Sequence, residues 1–291
     1  MTAWDGIGEF VAVVESQSFT KAARQLGISI AQVSRQITAL EHRLATQLFY
    51  RTTRKVTVTE AGQIYYRHCR QLLDGLEDAE NALSSLQDTP RGRLKVTAPT
   101  TYGETIIAPL LNDFIALYPD LEVQCHFTNQ KLDLILEGYD LAIRLGKLDA
   151  TPGSLMTQQL STRRLYACAS PAYLAARGEP HSLSELARHN CLQGTLDYWR
   201  FCEDGRDRTI RIHGNLTANS GQALLDAARK GIGIVQLPDY YVDPFIASGD
   251  LVPILTRFQP HDEGIWALYP TNRHLSPKIR MLVEYLGRYL G

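Results

Sequence analysis

Residues 18–41 read SFTKAARQLGISIAQVSRQITALE, two short amphipathic helical patterns hinged at Gly27. Glycine accepts the left-handed backbone that closes a helix, so the pattern predicts one helix over 20–26 and a stop at Gly27. Ser18 or Thr20 offers the oxygen that caps it. Ser29 opens the next helix, and Gln32 three residues on completes the S-x-x-Q spacing of a capping box. In that helix Ile30, Val33, Ile37, Leu40 and Leu44 fall on one stripe, an anchor onto neighbouring helices. Ala22, Ala23 and Ala31 are small enough to let the two helices approach closely. Upstream, Ile7, Phe10, Val11, Val14 and, past a break, Phe19 recur at helical spacing and predict a further helix with a buried face.

The opposite face of the second helix carries Gln32, Ser34, Arg35, Gln36 and Thr38. Short polar side chains and an arginine on the first turns can hydrogen-bond base edges in a major groove. A packed helical hairpin with no nucleic-acid role satisfies the same pattern. The following stretch, LFYRTTRKVTVTEAG, bears on the choice: it predicts a short β-hairpin with Arg51, Arg54 and Lys55 at a basic tip. Between 18 and 58 there are seven basic residues against one acid, Glu41, a net of +6; with a total of −1 the remainder carries −7. A basic end on an acidic body points to a local polyanion-binding face, although such a cluster also occurs as plain solvated surface.

Helix, helix-turn-helix and basic wing together make a winged helix-turn-helix. The run FVAVVESQSFTKAARQLGISIAQVSRQITALEHRLATQLFYRTTRKVTVTEAG resembles the LysR-type transcriptional regulators of bacteria without a gap. The resemblance implies double-stranded promoter DNA as partner. It gives Gln32, Ser34 and Arg35 to bases, Thr38 to the backbone, and Arg51, Arg54 and Lys55 to wing contacts. Ser18, Thr20 and Ser29 would meet phosphates, and capping alone explains them equally.

From Thr59 to about Gln87 no proline interrupts the chain, and Tyr65, His68, Leu72, Leu76, Ala79, Leu83 and Leu86 form a heptad-like seam. A rod of roughly 40 Å at 1.5 Å per residue cannot bury its stripe on a small winged helix alone. Either a second copy covers it, making a homodimer, or the chain's own C-terminal body does. QDTPRGRL (87–94) breaks the helix and marks a hinge.

Beyond it strand and helix patterns alternate: RLKVTAP, TYGETIIAPLLNDFIALYP, LEVQCHF, the short helix KLDLILEG, YDLAIRLG, then RRLYACASP, SGQALLDAARKG, IGIVQLP and GIWALYP, closing on the helix PKIRMLVEYLGRYL. Such alternation predicts an α/β domain with a largely parallel sheet. These landmarks extend the resemblance over essentially the whole chain. The expected organisation is multi-domain α/β: a winged helix-turn-helix over 1–58, a linker and dimerisation helix over 59–88, and an effector-binding domain over 89–291. The family fold implies that this domain has two Rossmann-like lobes resembling periplasmic binding proteins. Lobe one is expected at 91–161 plus 267–291, lobe two at 162–266.

In open sheets ligands gather at the carboxyl ends of strands, where helix N-termini point. Pro99, Thr100, Thr101 and Tyr102 occupy one such junction and Asn219 and Ser220 the equivalent one in lobe two, a pair suited to a small carboxylate; capping explains Thr100 and Ser220 as well. The family layout adds Asn129, Arg144 and Thr195, Arg144 being open to a structural ion pair instead. No GxxxxGK[ST], HExxH or GxSxG motif is present, the histidines show no ligand spacing, and GIGIV lacks the third glycine of a dinucleotide loop. The expectation is a non-enzyme with no catalytic or metal-binding residues and no cofactor. The five cysteines are scattered and without a CxxC pair, no apolar run reaches the roughly 20 residues of a membrane span, and MTAWDGIGEF lacks a signal-peptide pattern. A cytoplasmic regulator is expected, free of membrane, as a homodimer and, from the family, a homotetramer, with RNA polymerase as a further partner of an activator. A stand-alone solute-binding protein is the other reading of the C-terminal part.

Overall fold

The computed structural model describes residues 4–51, 56–83, 90–148, 153–271 and 276–291. Its first unit packs α1 (Ile7–Ser16), α2 (Phe19–Leu26) and α3 (Ile30–Arg43) against a hairpin of β1 (Phe49–Arg51) and β2 (Val56–Val58) and the base of α4 (Glu60–Leu83). Phe10, Val33, Ile37, Leu40, Leu48 and Phe49 are essentially inaccessible. Each such side chain contributes about 1.5–3 kcal/mol of transfer free energy. Phe10 meets Phe49 and Tyr65 at ring-centroid distances of 5.4 and 5.5 Å, so wing, first helix and linker share one core.

Three local expectations change here. Ser18 is the cap, accepting from the Lys21 amide at 3.3 Å, and the helix begins at Phe19, which leaves Thr20 inside it. Ile30 leaves the anchoring stripe: it is 48% exposed, because a first-turn side chain leans towards the helix N-terminus, past the edge of the core. Tyr65 leaves the linker seam, since its ring faces Phe10. Cys69 is also buried in this core. The exposed apolar row on α4 is Ile64, Leu72 and Leu76, with exposed His68 between the first two. Leu86 and the side chains of Ala79 and Leu83 lie outside the described residues.

The second unit holds two sheets. The larger has the order β4-β3-β5-β12-β6, built from β3 (Gly92–Ala98), β4 (Leu121–Phe127), β5 (Leu141–Leu145), β6 (Leu155–Arg163) and β12 (Glu263–Pro270). Strand β3 runs parallel to β4 and β5, whereas β12 runs antiparallel to β5 and β6. One face is covered by a continuous helical run, α5 (Thr100–Tyr102), a π-helical turn (Gly103–Ile107) and α6 (Ala108–Leu117), together with α10 (Pro277–Leu290). A β-carbon at Gly103 would sit 2.4 Å from the Phe127 ring, so helix and strand approach more closely there than any other residue permits. On the other face, Leu134, Tyr139, Ala142 and Leu268 form a small core.

The smaller sheet has the order β10-β7-β11, from β7 (Leu165–Ala169), β10 (Val235–Pro238) and β11 (Val252–Ile254), all antiparallel. Around it lie α7 (Pro171–Arg177), a 3₁₀ turn (Leu183–Arg188), a hairpin of β8 (Tyr198–Glu203) and β9 (Arg206–Arg211), α8 (Gly221–Arg229) and α9 (Asp239–Ala247).

The sheets are therefore mixed and antiparallel, and the expectation of a largely parallel sheet holds only for β4-β3-β5. KLDLILEG forms hydrogen-bonded turns instead of a helix, because the Asp133 carboxylate accepts from the Ile135 and Leu136 amides at 3.1 and 3.0 Å and ends the run locally. The larger sheet keeps β6 to Arg163 and regains the chain at Glu263, so the lobe boundaries expected at 161/162 and 266/267 fall inside strands. At these crossovers Arg163 donates to the Glu263 carboxylate at 2.8 and 3.1 Å, and Arg200 of β8 pairs with its other oxygen. Lys147 and Asp207, 2.6 Å apart, form a second bridge between lobes.

Candidate DNA-reading face and effector site

The reading face begins with its caps. Gly27 at φ 67° closes α2 and donates to the Ala23 and Arg24 carbonyls, fixing a short turn. Ser29 then accepts from the Gln32 amide at 3.2 Å and starts α3. Val33, Ile37 and Leu40 pin the helix from beneath. Gln32, Arg35 and Thr38 are exposed on its outer face and Ser34 is half-buried among them. Of the hydroxyls read as phosphate contacts, Thr20 and Ser29 are exposed and Ser18 is half-buried.

The lone acid of this basic segment is structural. The Glu41 carboxylate accepts from the Leu48 and Phe49 amides at 2.8 and 3.2 Å and fastens the wing to α3. Two charge-assisted bonds to backbone donors hold such a link well. Thr59 donates to the Gln47 carbonyl at 2.8 Å and accepts from the Gly62 amide at 2.9 Å. A β-carbon at Gly62 would lie 2.3 Å from the Leu48 carbonyl oxygen, so glycine lets the linker begin directly under the wing. In the hairpin Arg51 pairs with Val56 through its backbone; the Arg51 side chain, Arg54 and Lys55 lie outside the described residues. Tyr50, 58% exposed on the first wing strand, had no sequence signal beyond strand alternation.

The second constellation is assembled by strand register. Pairing of Ala98 with Phe127 places Asn129 beside Thr100, and the Asn129 side-chain oxygen accepts from the Thr100 amide at 3.1 Å. Thr97 pairs with Ala142, so Pro99 and Arg144 stand level at the carboxyl ends of β3 and β5. Arg144 is half-buried: one guanidinium nitrogen donates to the Ile143 carbonyl at 3.2 Å, while Nη2 is buried without a partner. Burial lowers its pKa, as expected for a cation losing solvent. A buried guanidinium nitrogen with an unmet donor costs free energy until an acceptor reaches it.

In lobe two Ser220 caps α8 by accepting from the Ala223 amide at 3.4 Å. A parallel bridge joins Gln193 and Thr217, so Thr195 and Asn219, each two residues on and both exposed, leave at the same end. The residue that connects the two junctions is Tyr241, which sequence reading missed. Its phenol stands near the Thr101 side chain of lobe one, which offsets part of the rise in pKa that burial imposes. In lobe two, a β-carbon at Gly221 would lie 2.5 Å from its ring. The neighbouring Tyr240 packs edge-on against buried Tyr102 at 5.0 Å; burial pushes its phenol up to about 12. Pro99, Thr100, Thr101, Tyr102, Asn129 and Arg144 thus share one end of the large sheet, and Gly221, next in chain to Ser220, lies against Tyr241.

A DNA-reading module joined by a long helix to a two-lobed α/β sensor defines a class, the ligand-responsive transcription regulators. Comparison with known proteins fixes the family. Residues 5–63 match the model described as bacterial regulatory helix-turn-helix protein, lysR family, and residues 87–291 match the LysR substrate binding domain. The chain belongs to the LysR family of transcriptional regulators. It is 35% identical over 283 residues to an HTH-type transcriptional regulator of Haemophilus influenzae, covering 96% of this chain and 98% of that one. It is 32% identical over 284 residues to the transcriptional activator TtdR of Escherichia coli K12, covering 96% and 91%. Among solved structures it is similar to CrgA of Neisseria meningitidis, at TM-score 0.62, 33% identity and 98% coverage of both chains. Full-length AphB of Vibrio cholerae matches at TM-score 0.62 and 27% identity over 100% of both chains. No described helix is long and apolar enough to cross a membrane.

Proposed function

We propose that this LysR-type regulator reads promoter DNA with α3 and answers to a small carboxylate held between its lobes. Gln32, Ser34 and Arg35 meet base edges, Thr38 meets the backbone, and Ser18, Thr20 and Ser29 meet phosphates. Arg51, Arg54 and Lys55 follow the phosphate backbone from the wing. The carboxylate reading is supported above all by the buried, unpartnered Arg144 nitrogen, on a residue whose backbone stands level with Pro99. Thr100, Thr101, Asn129, Asn219 and Ser220 supply hydroxyls and amides around it, and Thr195 lies on the rim. The exposed apolar row on α4 favours a second copy of the chain as its cover, giving a cytoplasmic dimer with two reading heads and, by pairing of dimers, a tetramer. Contact with RNA polymerase follows if the output is activation.

Binding of the ligand changes the DNA response only if it favours one arrangement of the assembly over another. A thermal-shift screen of small carboxylic acids tests the reading. One or more acids raise the melting temperature of the wild-type protein, and Arg144→Gln abolishes that rise while still binding DNA. Stabilisation that survives Arg144→Gln removes Arg144 from the site, and no stabilisation by any acid removes the carboxylate.

A further inference from the structure

Ile30 is the anomaly of the reading face. It is a β-branched aliphatic at the first position of α3, 48% exposed, next to exposed Ala31 and Gln32. A lone exposed aliphatic needs no explanation on most surfaces. Here it stands on the turn that a recognition helix inserts, in a segment whose net charge of +6 draws it to DNA. Its Cβ leans towards the helix N-terminus, past the edge of the core that holds Val33. A β-branched side chain in a helix has essentially one χ1 setting, so this apolar group is presented rigidly.

We infer that Ile30 is a specificity-determining residue that reads the C5-methyl group of thymine in the major groove. Thymine alone among the four bases offers an apolar group there, and a rigid aliphatic gains from burying it while leaving the polar edge of any other base unsatisfied. Ile30 therefore adds an apolar letter to the polar reading by Gln32, Ser34 and Arg35. The inference rests on α3 being the element in the groove.

The test uses the full-length protein and a duplex selected by the wild type from a randomised pool. Each thymine is replaced in turn by deoxyuridine, which deletes only the methyl group, and affinity is measured by fluorescence anisotropy. Wild type loses about fourfold at one or more thymine positions, the worth of a single buried methyl group. Ile30→Ala binds the thymine and deoxyuridine duplexes equally at those positions. Because Ile30 is exposed, both Ile30→Ala and Ile30→Gln keep the wild-type melting temperature, which excludes misfolding as the cause. Wild-type indifference to every methyl group, or undiminished sensitivity in Ile30→Ala, overturns the inference. Arg35→Ala run in parallel separates the two levels: if it relaxes selection while Ile30→Ala changes nothing, Ile30 alone is misassigned. If neither changes selection, α3 is not the reading element.

Discussion

Glu41 shows how a single side chain decides whether the wing stands. Its carboxylate holds the Leu48 and Phe49 amides, at the entry to a hairpin only three residues long on each side. Removing the acceptor leaves buried donors unmet, at about 1–3 kcal/mol. Glu41→Ala therefore lowers the unfolding free energy of the winged-helix unit by that amount, read as a lower urea midpoint, and weakens DNA binding with it; an unchanged midpoint contradicts the clamp. Spacing along the chain reveals Gly27 and Ser29, and narrows the first cap to Ser18 or Thr20, because capping is local. Ile30 was misplaced by the same logic: periodicity assigns a face but not where the core ends. Tyr241 was invisible for a different reason, since its contacts to Thr101 and Gly221 come from residues far apart in sequence.

The linker helix and the helices of the cleft carry the next level. On α4 two faces do different work, Tyr65 and Cys69 turned to the reading domain and Leu72 and Leu76 exposed at 52% and 51%. Leu72→Lys with Leu76→Lys places two charges in any seam between copies; the expected outcome is a monomer by light scattering and DNA affinity lower by at least about tenfold through lost bivalency. A variant that stays dimeric places the interface elsewhere. At the cleft, Gly221→Ala puts a β-carbon into the Tyr241 ring and displaces it from Thr101. The expected outcome is a lost or altered ligand response with sequence-specific DNA binding intact. Strand order was the least legible part of the elements. Strand β6 lies on a sheet edge with four consecutive exposed residues, Met156–Gln159, and so lacks the alternation that marks a half-buried strand.

At the scale of the molecule, two sheet-based lobes meet at two crossovers where Glu263 is held between Arg163 and Arg200. Glu263 is 5% exposed and the Arg163 side chain 13%, so Glu263→Ala strands a buried guanidinium and destabilises the sensor by about 3–5 kcal/mol, read as a lower melting temperature of the regulatory domain. The winged helix, the linker and the α/β character of the sensor were legible because each rests on periodicity, caps and charge. The boundary between the lobes was not, because it is set by which distant strands β12 joins. The claim beneath all of this is that α3 reads base sequence through Arg35, and selection from a randomised duplex pool tests it most directly. Arg35→Ala should keep salt-dependent binding to DNA while losing the preference for one or more base pairs that the wild type selects, at about 1–3 kcal/mol per position. Selection of the same sequence by Arg35→Ala with undiminished discrimination would contradict it.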